Sequence, residues 1–154
     1  MNCPASWQAE QQYPDEPSGE AAIAGTHTHT LLEHCTNERV PDAVLLIDKE
    51  MEDHEGTFTV DLDQALRVNV ALQYVRDRVS QLGGDVTIAS EQRVNPGAWI
   101  GADDMKGTLD LSLVADKTLE IIDYKDGRGY VDPKESEQLG LYMAGKLHDF
   151  HRMG

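Results

Sequence analysis

Cysteine is scarce in this sequence: Cys3 and Cys35 are the only two in 154 residues. That count excludes a disulfide scaffold and any four-cysteine cluster, and leaves two reduced thiols as the plain reading. Long apolar runs are missing as well, so no stretch reaches the length of a membrane span. The opening residues, MNCPASWQAEQQYPDEP, lack the basic start and apolar core of a secretory signal. A soluble, cytoplasmic chain with no membrane partner is therefore expected. Basic residues are few: 13 Lys and Arg stand against 28 Asp and Glu, a formal net charge of −15. Such a balance argues against a nucleic-acid coat protein, which would carry a basic patch. It predicts weak, salt-sensitive DNA binding by this chain alone. It leaves room for metal-dependent enzymes, whose acids gather at the site while a cation reverses the local field. Internal repeats, a Gly-rich phosphate loop, zinc-type Cys/His spacing and a G-x-S-x-G elbow are all absent.

What is present is ordinary globular composition, 40% hydrophobic and 27% charged, at a length that suits one domain with a modest core. Residues 1–17 read as a polar lead-in, with Trp7 and Tyr13 available to tack it onto the body, and residues 18–154 as a single domain. Ser18 to Thr36 reads as a helix capped by Ser18, with Ala22, Gly25, His29, Leu32 and Thr36 along its inner face. Gly25 there suggests close backbone packing, and His27 and His34 fall off the stripe. Ala43 to Ile47 reads as a short strand or an irregular excursion, and Glu50 to Glu55 as a solvated acidic loop. Asp61 to Leu82 is the clearest helix. Asp61 or Asp63 caps it, Leu66, Val70, Tyr74 and Leu82 with nearby valines supply its apolar side, and Gly83-Gly84 stops it. Arg67, Arg76 and Arg78 then fall on its solvated face. Val86 to Val94 reads as a strand, followed by a loop in which Trp99 and Ile100 pack inward. Past Lys125 the chain turns through Asp126 to Gly129, with Tyr130-Val131 as a short strand and Pro133 opening a last helix. Along that helix Gln138 and Tyr142 share one face, with Leu139, Met143 and Leu147 beside them.

The chemistry gathers between Gly107 and Gly127. Leu109, Leu111 and Leu113 alternate with polar positions, and Thr118 to Lys125 is rich in β-branched and aromatic residues. With Asp116 and Lys117 as the loop, Ala115 pairs with Thr118 and the count outward sets Asp110 opposite Asp123. Facing carboxylates repel, so a cation between them is the natural resolution. Alternation puts Lys125 on the face of Asp123. Two acids and a lysine suit phosphodiester hydrolysis around a hard divalent cation, with Lys125 as the fixed charge on the transition state. The plainer alternative is a surface Asp123–Lys125 pair at a strand end. Glu91 is either a strand-surface acid or a further approach to a metal, and Glu33 is a second such candidate. His29 read alone is a satisfied core histidine more often than a ligand.

Asp110 followed by Asp123-Tyr124-Lys125 after an apolar strand resembles the motif of the PD-(D/E)XK nuclease superfamily. Gly25-Thr26-His27-Thr28-His29 resembles the histidine helix of its RecB-like branch, and Gln138-Leu139-Gly140-Leu141-Tyr142 the Q-x-x-x-Y helix of that branch. The order of these elements also matches. Asn2-Cys3-Pro4-Ala5-Ser6 and EIIDYKDGRG resemble phage and prophage members. The resemblance implies that His29, Asp110, Asp123 and the Tyr124 carbonyl hold Mg²⁺ or Mn²⁺. It makes Lys125 the catalytic lysine, with Gln138 and Tyr142 positioning DNA or that lysine. No cysteine follows Cys35, so the iron–sulfur cluster of some relatives is not expected.

The expectation is thus an α/β, restriction-endonuclease-like core, a small mixed β-sheet flanked by helices. Its expected activity is Mg²⁺- or Mn²⁺-dependent DNA cleavage, as a phage exonuclease in recombination or DNA processing within a bacterial host. A recombination or replication protein is the further partner to be considered. The alternative is a non-catalytic nuclease-like module binding DNA ends or such a partner.

Overall fold

A computed structural model describes residues 19–99, 106–126 and 136–153. Three helices, α1 (Glu20–Asn37), α2 (Leu62–Leu82) and α3 (Glu137–Met153), surround two small sheets. One is the hairpin β1 (Glu50–Asp53) and β2 (Gly56–Thr59). The other holds β3 (Thr87–Val94), β4 (Gly107–Ala115) and β5 (Thr118–Ile122) in the order β3-β4-β5. This is the expected α/β class; the strand pairs described are all antiparallel. The lead-in with Trp7 and Tyr13, the Ser18 cap, the packing of Trp99 and Ile100, the turn at 127–129, the strand at 130–131 and Pro133 lie outside the described residues.

The core forms where α1, α2 and β4 meet: Leu31, Leu32 and Cys35, then Ala65, Val68, Leu72 and Val75, then Leu111 and Leu113, all buried. Burial pushes the Cys35 thiol up to about 11, which leaves it unreactive. On α1 the buried positions are 28, 31, 32 and 35, a stripe turned from the expected one. His29 is consequently at the edge of that stripe rather than inside it. A Cβ on Gly25 would meet nothing within 4 Å, so no close packing accounts for that glycine. The helix begins at Gly19 without a side-chain cap.

The ends of α2 are as expected. The Asp61 carboxylate accepts the Gln64 N–H at 2.8 Å, and Gly83 and Gly84 both take positive φ. Its inner face is as expected only in Leu82 and the valines at 68, 75 and 79. Leu62, Leu66, Val70 and Tyr74 form an exposed row, Val70 at 72%, while the smaller Ala65 and Val68 go inside with Leu72 and Val75. Apolar residues occur on both sides of this helix, and the core selects the side with the tighter shape. The arginines are engaged rather than merely solvated. Arg67 binds Asp126 at 2.7 Å, Arg76 donates to the Pro41 carbonyl at 2.8 Å, and Arg78 grips Glu120 on β5 at 2.6 Å.

The stretch that reads as loop is also built differently. Ala43–Leu46 is a 3₁₀ turn, opened by Asp42 accepting from the Val44 N–H. The acidic run 50–55 is strand β1 and the turn after it, paired from Glu50↔Thr59 to Asp53↔Gly56. Alternation carries Met51 and Phe58 against the core and turns Asp53 inward toward α1, while Glu50 and Glu52 face out. Helix α3 docks through two glycines. A Cβ on Gly145 would lie 3.0 Å from Val94 and 3.1 Å from the Pro96 nitrogen, and one on Gly107 only 2.6 Å from the Tyr142 ring.

The reversed face of α2 is open to a direct test by urea unfolding. Leu72→Ala is expected to cost about 2–5 kcal/mol, whereas Val70→Ser should stay within about 0.5 kcal/mol of the parent chain.

Candidate metal centre

The hairpin β4–β5 has the register counted from its two-residue loop: Ala115↔Thr118, Val114↔Leu119, and on to Leu111↔Ile122. Asp116 takes the positive φ, 45°, that such a loop demands. The ladder ends one step before Asp110 and Asp123 would pair. Beyond that end the Tyr124 N–H donates to Asp110 Oδ2 at 2.6 Å. The Asp123 carboxylate turns away, with Lys125 Nζ 2.8 Å from its Oδ2 and Gln138 Nε2 3.5 Å from its Oδ1. Gln138 also donates to the Tyr142 hydroxyl at 3.1 Å. Tyr142, Gln138, Asp123 and Lys125 therefore form one chain of contacts.

The carboxylate that does approach Asp110 comes from the opposite neighbour. β3 and β4 pair as Ser90↔Leu111 and Gln92↔Leu109, so Glu91 stands on the rung of Asp110. Glu91 has φ of 46°, a left-handed conformation that a non-glycine strand residue adopts at a cost. One ligand atom each from His29, Glu91 and Asp110 lies within 4.8 Å of the others, and His29 Nδ1 is 3.5 Å from Asp110 Oδ1. The Tyr124 ring meets His29 edge-on, centroids 5.5 Å apart, and fixes the imidazole plane. Thus the structure joins His29 and Asp110 with Glu91, which the sequence offered only as a secondary candidate. It leaves Asp123 and Lys125 one shell further out. Glu33, the other secondary candidate, lines the same cavity of about 840 Å³, as do Tyr124 and Lys125.

The electrostatics follow from this crowding. Burial pushes the Asp110 carboxyl above its ordinary range and Asp123 adds to the rise, against the pull of His29, the Tyr124 N–H and Lys125. Glu91 is also raised, by burial first and then by Asp110 and Glu33, with His29 opposing. Two carboxyls that resist ionisation beside an imidazole gain most from a divalent ion. The donor set of two carboxylates and one imidazole suits Mn²⁺, and Mg²⁺ less well because of the nitrogen.

The model of the DUF2800 family, described as a protein of unknown function, matches residues 1–154. The chain belongs to the DUF2800 family. No solved structure matches it.

In this DUF2800 chain one wall of the cavity is clamped by residues that sequence reasoning passed over. His27 Nδ1 lies 2.8 Å from Asp53 Oδ2, Thr30 donates to the same oxygen at 3.1 Å, and the Glu55 N–H donates to Oδ1 at 2.9 Å. His27 also stacks on Phe58, centroids 4.2 Å apart. Burial works to raise the Asp53 carboxyl, but these hydrogen bonds hold it below its ordinary range. The clamp ties the β1–β2 hairpin to α1 next to His29. The spacing of two histidines at 27 and 29 is the one signal that could have pointed to it. Gly107 leaves no room for a side chain because the Tyr142 ring lies on its backbone.

Raised folded-state pKa values carry a definite sign. Stability from Glu91 and Asp110 is present below their unfolded pKa values and is lost as pH rises through the folded ones. Glu91→Gln or Asp110→Asn should therefore raise the Tm of the metal-free chain by roughly 2–4 °C at neutral pH. The gain should shrink on acidification, as measured by scanning calorimetry in chelator across pH.

Proposed function

We propose that this DUF2800 chain is a divalent-metal-dependent deoxyribonuclease of the PD-(D/E)XK, RecB-like kind, a phage-type exonuclease working in recombination or DNA processing in the bacterial cytoplasm. The observation that carries the reading is the convergence of His29, Glu91 and Asp110 within 4.8 Å, beside the Asp123–Lys125 pair. His29, Glu91 and Asp110 would hold Mn²⁺ or Mg²⁺, with Glu33 near enough to share in it. Bound there, the ion would supply a polarised phosphate and a water acidified for attack.

Each remaining role belongs to the chain's own groups. The Tyr124 N–H holds Asp110 by one oxygen and leaves the other turned toward His29. Lys125 offers a cation to the phosphorane charge, and Asp123 anchors that cation on the site side. Gln138 and Tyr142 keep Asp123 in place. The Lys125–Asp123 contact favours a second reading, a nuclease-like module that binds DNA ends without cutting, because a lysine held by its neighbour is less free to meet a phosphate.

Mn²⁺ titration by calorimetry, with digestion of linear duplex DNA beside it, separates the two readings. The parent chain should bind and cut, and Asp110→Ala or Glu91→Gln should lose more than about 100-fold in metal affinity, since even outer-sphere partners cost 10–100-fold. Metal binding and DNA binding without digestion would favour the non-cutting module. A parent chain that binds no Mn²⁺ would remove the centre altogether.

A further inference from the structure

Two rungs along the β3–β4 ladder from Glu91 and Asp110, Arg93 stands opposite Thr108. Lys106 follows at the start of β4, and with Arg93, Thr108 and Asn95 it lines a separate groove of about 490 Å³. Both cations are exposed, and among the described residues neither makes an ion pair. In a chain with 28 acids and 13 basic residues, two neighbouring cations with no ion-pair partner among the described residues are not a generic surface. Among the described residues that line the groove, Asp149 on α3 is the acid, so that described lining carries a net positive charge. Asn95 Oδ1, in the same wall, is the buried side-chain polar atom among the described residues that lacks a partner, and such an atom calls for an explanation.

We infer that this Arg93–Lys106 groove binds the phosphate backbone of the nucleic-acid strand whose cleavage is proposed at the neighbouring centre; the inference rests on that proposal for the identity of the strand. The spacing fits. At about 3.4 Å per strand residue, Thr108 is some 7 Å and Lys106 some 14 Å from Asp110, about two to four nucleotides at the axial spacing of a DNA strand. The direction fits as well. Around the metal cavity the other flank carries Glu33, Glu52 and Asp53, which repel a polyanion. The strand is therefore led along β4, past the Tyr142 ring lying on Gly107, and onto Arg93 and Lys106. The Thr108 hydroxyl donates to a phosphate oxygen. Contacts of this kind position a strand without reading its sequence.

The test measures binding of a labelled short oligothymidylate by fluorescence anisotropy across a salt series, with Ca²⁺ replacing Mn²⁺ to prevent cutting. Arg93→Ala/Lys106→Ala should weaken binding roughly tenfold, and should flatten the slope of log affinity against log salt by about 0.7 for each lost phosphate contact. The charge-preserving pair Arg93→Lys/Lys106→Arg should stay close to the parent, which separates lost charge from lost fold. Mn²⁺ calorimetry on the same double alanine variant should match the parent chain, placing the defect outside the metal centre. An unchanged affinity and slope in the double alanine variant would overturn the groove even where metal-dependent cleavage is demonstrated. A parent chain without Mn²⁺ binding or cleavage, whose oligothymidylate affinity still falls in the double variant, would remove the nuclease reading and sustain the groove.

Discussion

Glu91 and Asp110 are held on one rung of adjacent strands although their charges oppose each other. Much of the surrounding structure makes that opposition tolerable. β4 is fixed from behind by Leu109, Leu111 and Leu113, each fully buried, so Asp110 cannot drift outward. α1 brings His29 and the segment after β5 brings the Tyr124 N–H, and both favour the charged carboxylate. On the other strand Glu91 gives up regular backbone geometry. Strain and like charge on the same rung mark a place where folding alone would have chosen other residues.

The site is kept in place by ionic ties that run from the helices to the strand ends. Arg78 on α2 holds Glu120 in the middle of β5, and Arg67 holds Asp126 just past Lys125. The segment bearing Asp123, Tyr124 and Lys125 is thus stretched between two anchors on one helix. The Tyr124 phenol, pushed up to about 12 by burial and Asp126, stays neutral and packs as a wedge beside His29. On the far wall the His27–Asp53 clamp gives the β1–β2 hairpin, marginal by itself, a fixed seat against α1.

What could be read from the sequence was governed by locality. A two-residue loop determines a hairpin's register, so the placing of Asp110 near the Asp123–Lys125 segment could be counted from Asp116 and Lys117. Helix ends are also local events, and Asp61 and Gly83 stand where α2 begins and stops. Faces are not local. Leu66 looks more apolar than Ala65, and Val70 as apolar as Val68, yet the core took Ala65 and Val68, because shape against α1 and β4 decided it. Glu91 was hidden for a related reason. The connection from Val94 to Gly107 is too long in sequence for a register to be counted from it, so nothing local tied Glu91 to Asp110. The acidic stretch at 50–55 looked like solvent because its charges mask an alternation completed only by pairing with Gly56–Thr59.

The row Leu62, Leu66, Val70 and Tyr74 has a consequence for the chain's colloidal behaviour. At low ionic strength a formal charge of −15 keeps copies apart. At about 1 M salt the screening length contracts to about 3 Å, less than the width of one side chain. The barrier then falls away while the attraction between apolar rows persists. A chain this acidic would normally be stored in salt with impunity; here salt removes the repulsion that keeps this exposed helix face from a second copy.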